Sequence, residues 1–191
     1  MQMYSVRIRP DVGSLVKAMD RWLLIAASFF ITAEVFTVVA LVSPNWITSS
    51  DDSGSCMLGL VMTCKGSGNY LECHRETSLS LYWTTCLILI IVGMVGILVT
   101  FCVLITALWK RRTEVGSIVK WISFFSTISF CFAALVFPIG FVDDEIGGDP
   151  YYLPGRQRIG YAYICFVLSI LFSVLGHVFI NKICFPIQSV N

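Results

Sequence analysis

Four long apolar stretches, at 22–43, 83–109, 121–141 and 160–180, alternate with polar segments along the chain. The last three contain no Asp, Glu, Lys or Arg, and the first contains only Glu34. Each reaches the ~20 residues that a helix needs to cross a hydrocarbon core of about 30 Å. The pattern predicts four transmembrane helices. The segment between the first two, 44–82, reads differently. Pro44 ends the first helix, and Met57-Leu58-Gly59-Leu60-Val61-Met62 is a short apolar run in a polar loop. Bounded by Gly54 and by Gly66-Ser67-Gly68-Asn69, it predicts a buried strand. The Gly-Ser-Gly-Asn stretch supplies a hairpin turn that brings Cys64 beside Cys73. In the loop 142–159, Tyr151 and Tyr152 lie between two turn signals, and the prolines around them limit any edge strand there to a short one. The fold class expected is an all-α membrane protein carrying a small extracellular β-sheet.

Composition agrees: 57% of the residues are hydrophobic and 13% charged, too few charges for a soluble domain of 191 residues. The first span exceeds a signal-peptide core and lacks a small-x-small cleavage site after it, so it reads as retained. Charge then sets the orientation. Nine of the thirteen basic residues fall in the arm 1–21, the linker 110–120 and the tail 181–191. Lys65, Arg75, Arg156 and Arg158 fall on the other side, which places both termini in the cytoplasm. Eight acids lie on the outer side, leaving it net negative by four. The short linker forces the second and third spans into an antiparallel hairpin. We read the chain as a single membrane domain, 1–191, with no intracellular module, so its effects inside the cell must pass through partners.

Candidate chemistry is sparse. Cys102, Cys131 and Cys165 lie within the spans and Cys86 near the outer end of the second, where free Cys behaves as a small apolar residue. Cys56, Cys64 and Cys73 are in the oxidising loop and allow three pairings. The intervening turn makes Cys64–Cys73 the local closure, and that pairing is expected. Cys56 is then left over, either as an unpaired or partly buried thiol or in an intermolecular bond. Glu34, a carboxylate near mid-bilayer, costs ~2.5–3.5 kcal/mol to insert and should face other helices. The plain reading is a protonated Glu34 hydrogen-bonded to a hydroxyl of the third span, which offers Ser123, Ser126, Thr127 and Ser129; a proton-coupled or ligand-binding role is the alternative. His177 lies too deep by ~12 Å. Tryptophan is enriched at membrane interfaces, but the spacing of Trp46 to Gly59-Leu60-x-x-x-Cys64 lifts it above that plain reading, and Trp46, Gly59, Leu60 and Val61 are expected to form an extracellular fold motif. Cys184 beside Lys182 at the inner leaflet is a candidate palmitoylation site. No Asn-x-Ser/Thr sequon stands in either outer loop, and no catalytic triad, carboxylate pair or phosphate loop is visible. We expect no enzyme, no cofactor, no metal and no nucleic-acid partner. One intramembrane acid without a repeat of broken helices also argues against a transporter.

Trp46, Gly59-Leu60, Cys64 and Cys73, together with four spans and cytoplasmic termini, resemble the claudin superfamily. That resemblance implies a left-handed four-helix bundle topped by an antiparallel sheet, with Cys64 and Cys73 as its disulfide. Claudins usually carry Trp where Val61 stands and end in a scaffold-binding hydrophobic residue, whereas this chain ends Ser189-Val190-Asn191. A claudin-like adhesion or barrier role is therefore the second reading. The chain is similar over about 20–185 to the modulator of Smoothened, or attenuator of Hedgehog, branch. The matching residues include Pro44-x-Trp46, Gly59-Leu60-Val61-x-x-Cys64, Trp109-x-Arg111-Arg112 and Phe137-Pro138-Ile139-Gly140-Phe141. Gly147-Gly148-x-Pro150-Tyr151 and an acid at the Glu34 position also fit. The arm, Cys56 and the stretch from His74 to Leu81 depart from that pattern. The resemblance implies a regulator that lowers Smoothened at the cell surface and cilium. It also implies action with a single-pass receptor-like protein and a ubiquitin ligase.

Overall fold

A computed structural model describes residues 12–51, 54–67, 70–75, 80–110, 116–142, 146–155 and 157–188. Helix α1 spans Val12–Val42 and is followed by strands β1 Ile47–Asp51, β2 Gly54–Leu58, β3 Met62–Ser67 and β4 Tyr70–Arg75. Helices α2 Leu81–Lys110 and α3 Gly116–Ile139 come next. A 3-10 turn Gly140–Val142, strand β5 Gln157–Ile159 and helix α4 Tyr161–Gln188 complete the order. Four segments, Arg21–Val42, Leu81–Ala107, Gly116–Val142 and Tyr161–Lys182, are long and apolar enough to cross a membrane. The expected class therefore holds: four apolar helices and a small antiparallel sheet.

The helices pack chiefly as two pairs, α1 with α4 and α2 with α3. Small residues bring the pairs close, as expected where dispersion rather than hydrophobic burial drives association. Gly93 and Gly96 of α2 let Phe130 and Ser126 of α3 come against the helix backbone. Two polar contacts add to this seam: Ser129 Oγ donates to Leu89 O at 2.9 Å, and Cys86 Sγ meets Ala133 O at 3.4 Å. Along α1 and α4, Trp22, Phe179, Phe29, Phe172 and Phe36 form successive stacked ring pairs with centroids 5.3–6.2 Å apart.

Pro138 sits inside α3. Lacking an N–H, it leaves the carbonyl of Ala134, one turn earlier, without its helical donor. The Tyr163 hydroxyl of α4 donates to that carbonyl at 3.1 Å. In lipid such a rescue matters more than in water, because no solvent reaches the freed group.

The five strands run in the order β4-β3-β2-β1-β5, all antiparallel. The apolar run Met57–Met62 is not one buried strand. Met57 and Leu58 end β2, Met62 begins β3, and Gly59-Leu60-Val61 is the turn between them. The run is apolar because the turn tip is buried: Leu60 is fully enclosed. The short edge strand is β5, not Tyr151-Tyr152. Tyr151 has a φ of 65° and its N–H donates to Pro138 O at 3.1 Å, so the tyrosines form a tight turn against α3. Only an isolated bridge, Asp149 with Tyr152, remains there.

Replacing Tyr163 by Phe removes the donor and leaves the Ala134 carbonyl unpaired. A loss of about 0.5–1.5 kcal/mol is expected. Thermal unfolding of the purified protein in detergent reads it as a lowered midpoint. An unchanged midpoint would show that the proline kink needs no rescue.

Candidate functional site

The sheet meets the bundle at the end of α1, and a proline organises this junction too. Pro44 has no N–H to give to Ala40 O, its partner one turn back. The indole Nε1 of Trp46 donates to that oxygen instead, at 2.7 Å. Trp46 is fully buried. Its ring packs against Phe137, Phe166 and Tyr163, with centroids 4.9, 5.6 and 6.0 Å away. Trp46 is thus more than an interfacial anchor: it caps α1 and closes the end of the bundle that carries the sheet.

Its backbone ties in the sheet. Trp46 N–H donates to Leu58 O at 3.1 Å, and Gly160 N–H donates to Trp46 O at 2.9 Å. Ala162 N–H, one of the donors that the first turn of α4 cannot satisfy internally, reaches Asn45 O at 3.0 Å. Ser43 Oγ donates to Tyr161 Oη at 2.7 Å. Gly59 and Gly160 are where the backbones come closest. A Cβ on Gly59 would lie 2.8 Å from both Pro44 Cα and Met62 O, and one on Gly160 would run into the Asn45 carbonyl. Leu60 then plugs in beneath, while Val61 stays half-buried. Trp46, Gly59, Leu60 and the stretch 43–46 thus form one clamp.

Cys64 and Cys73 are joined as a disulfide. Cys64 is buried and Cys73 exposed, so the bond ties the outer strand β4 to the enclosed part of the sheet. Cys56 is free and half-buried on β2. Burial pushes its thiol up from the ordinary value, and the charge of Lys65 pulls partly back.

Glu34 is 8% exposed, and its Oε1 has no hydrogen-bond partner. The expected hydroxyls are engaged elsewhere. Ser126 and Thr127 donate to Ile122 O and Ser123 O on their own helix, and Thr127 also meets Ser173 Oγ at 2.6 Å. Ser129 reaches α2, and Ser123 meets His177 Nδ1 at 2.9 Å. The His177 ring is held on its other side by Asn181 Nδ2 at 2.9 Å. Ser123 gives its proton to Lys120 O, so the His177 contact takes its proton from the ring. Nothing in the sequence announced the His177–Asn181–Ser123 group except that all three are polar within apolar spans. The Cys184 side chain lies outside the described residues. No cluster of His, Cys, Asp or Glu that would hold a metal occurs among the described residues.

Two outcomes test this geometry. Gly59→Ala forces a Cβ into backbone, which no side-chain rotation relieves, so the folded, disulfide-closed protein should fall several-fold in yield; normal yield and closure would show that the clamp is loose. Glu34→Leu removes an unpartnered acid from an apolar bundle and should raise the unfolding midpoint in detergent, by about 1–3 kcal/mol of stability. A lowered midpoint would mean that the carboxyl is satisfied after all.

The family model described as Attenuator of Hedgehog matches residues 43–186. That stretch starts at the clamp and takes in the sheet, the disulfide and helices α2 and α3 with most of α4. Glu34 and the rest of α1 lie outside it. With most of its length matched, this chain belongs to the Attenuator of Hedgehog family.

Proposed function

We propose that this protein attenuates Hedgehog signalling as a non-enzymatic accessory subunit in the membrane. It lowers Smoothened at the plasma membrane and primary cilium through a membrane ubiquitin-ligase complex. The single observation that carries the reading is the family match over 43–186, which includes every residue of the clamp between sheet and bundle.

The partners in this reading are membrane proteins, a single-pass receptor-like protein together with a ubiquitin ligase, and the surrounding lipid. Both termini are cytoplasmic, on the basic side of the chain, and the sheet is extracellular. The described polar side chains fit a packing role. The hydroxyls of α3 are spent on backbone carbonyls and neighbouring side chains, and Glu34 stands alone. A rigid sheet on a four-helix stem offers two surfaces to partners, strand side chains outside and helix faces within the bilayer. In this reading the chain acts by bringing other membrane proteins together.

Deleting the gene in Hedgehog-responsive cells should raise surface and ciliary Smoothened and increase transcription of pathway targets. Re-expression of the wild-type chain should reverse both, and a Cys64→Ser, Cys73→Ser double variant that reaches the surface should reverse them less. Unchanged Smoothened and unchanged output on deletion would sink the reading.

A further inference from the structure

Strand β4 is one edge of the sheet, and among the described residues no strand pairs with its outer side. Tyr70, Glu72, Cys73, His74 and Arg75 are all exposed. An open edge of this kind is a template for another strand. The opposite edge, β5, is three residues long and leads directly into α4, so β4 is the available one.

The register decides which backbone groups point outward. Cys64 and Cys73 are direct cross-strand partners with Cα atoms 4.0 Å apart. That is the close spacing of a non-hydrogen-bonded pair, not the ~5.5 Å of a bonded one. The Ser67–Tyr70 pair, which flanks a two-residue connection, gives the same phase, because such a connection is closed by a bonded pair. Tyr70, Glu72 and His74 therefore turn their amides and carbonyls toward β3. Leu71, Cys73 and Arg75 turn theirs outward.

The geometry points to a second copy of this chain as the occupant, its β4 antiparallel to this one. Bonded pairs across the new seam must join outward-facing residues. Placing Cys73 opposite Cys73 of the other copy pairs Leu71 with Arg75 on both sides and engages every outward residue. In that register the close, non-bonded positions hold Glu72 opposite His74, twice by symmetry. A shift of two residues one way sets Glu72 against Glu72; the other way it sets His74 against His74. Either shift also loses a bonded pair. The Cys73-centred register is the longest, and it alone sets the acid against the imidazole rather than like against like. Glu72 and His74 already lie within 3.7 Å of each other on the same face of β4, at 78% and 76% exposure, so each is free to turn to a counterpart. The contact is isologous, as a two-fold dimer requires. It is also small, which makes it a weak association. The inference does not depend on the Hedgehog reading.

The test is the oligomeric state of the full chain in detergent micelles, followed over a concentration series by sedimentation. Wild type should show a monomer–dimer equilibrium. Glu72→Lys sets Lys against His, and His74→Glu sets two acids against each other; each should weaken the dimer about ten-fold. The double variant restores opposite charges and should recover the wild-type equilibrium. Leu71→Pro deletes an outward N–H without touching the bonds to β3, and it should abolish the dimer while the Cys64–Cys73 bond still closes. A wild-type protein that stays monomeric throughout overturns the proposal and leaves the edge to a strand of a different protein. So does a dimer that is indifferent to the single charge variants, or one that the double variant fails to rescue.

Discussion

A proline inside a helix or just past its end leaves a carbonyl one turn back without its donor, and this molecule meets that demand twice in one place. Pro44 strips the donor from Ala40 O and Trp46 replaces it; Pro138 strips the donor from Ala134 O and Tyr163 replaces it. The two rescuing rings touch each other, and Phe137 stacks on Tyr163 and packs at a tilt against Trp46. The ends of α1 and α3 and the start of α4 therefore meet in one aromatic cluster at the end of the bundle that carries the sheet, and two of its rings also supply donors to those backbone oxygens.

The sheet inherits its position from this lock. Trp46 hands its own N–H to Leu58 and its carbonyl to Gly160, so β1 is paired on both sides from its first residue. Gly59 and Leu60 then fit under the end of α1. A small sheet needs a buried face or a helix to pack against for its stability. Here it is pinned at the bundle end by the clamp and near its outer edge by the Cys64–Cys73 bond. That arrangement holds the sheet at a set distance from the helices.

The spans were legible because hydrocarbon imposes a length and a composition that nothing else in the chain imitates. The disulfide was legible because its turn is local. The strand boundaries around Met57–Met62 were not. An apolar run reads as a strand when its burial comes from a sheet face, but here the burial comes from Leu60 entering the bundle, which only the folded contact reveals. Trp46 was legible in part: its spacing to Gly59-Leu60 and Cys64 marked it as more than an interfacial anchor, but the acceptor of its indole, Ala40 O, shows only in the fold. At Tyr151 and Tyr152 the β propensity of tyrosine lost to a left-handed turn fixed by the Pro138 carbonyl.

Glu34 is where local chemistry and global packing disagree most. The hydroxyls of α3 were plausible partners by depth, yet hydroxyls in an apolar helix first satisfy themselves on the carbonyl one turn back, as Ser126 and Thr127 do. In the folded bundle none of these hydroxyls reaches Glu34 Oε1. The same local preference leaves His177 to Ser123 and Asn181, a group toward the other end of the bundle from the clamp. The isolated bundle thus carries an acid that its own side chains do not stabilise. The segment that places the chain in its family begins nine residues after it. The family-matched architecture and the buried acid are separable features: the clamp explains how the sheet is held without any contribution from Glu34.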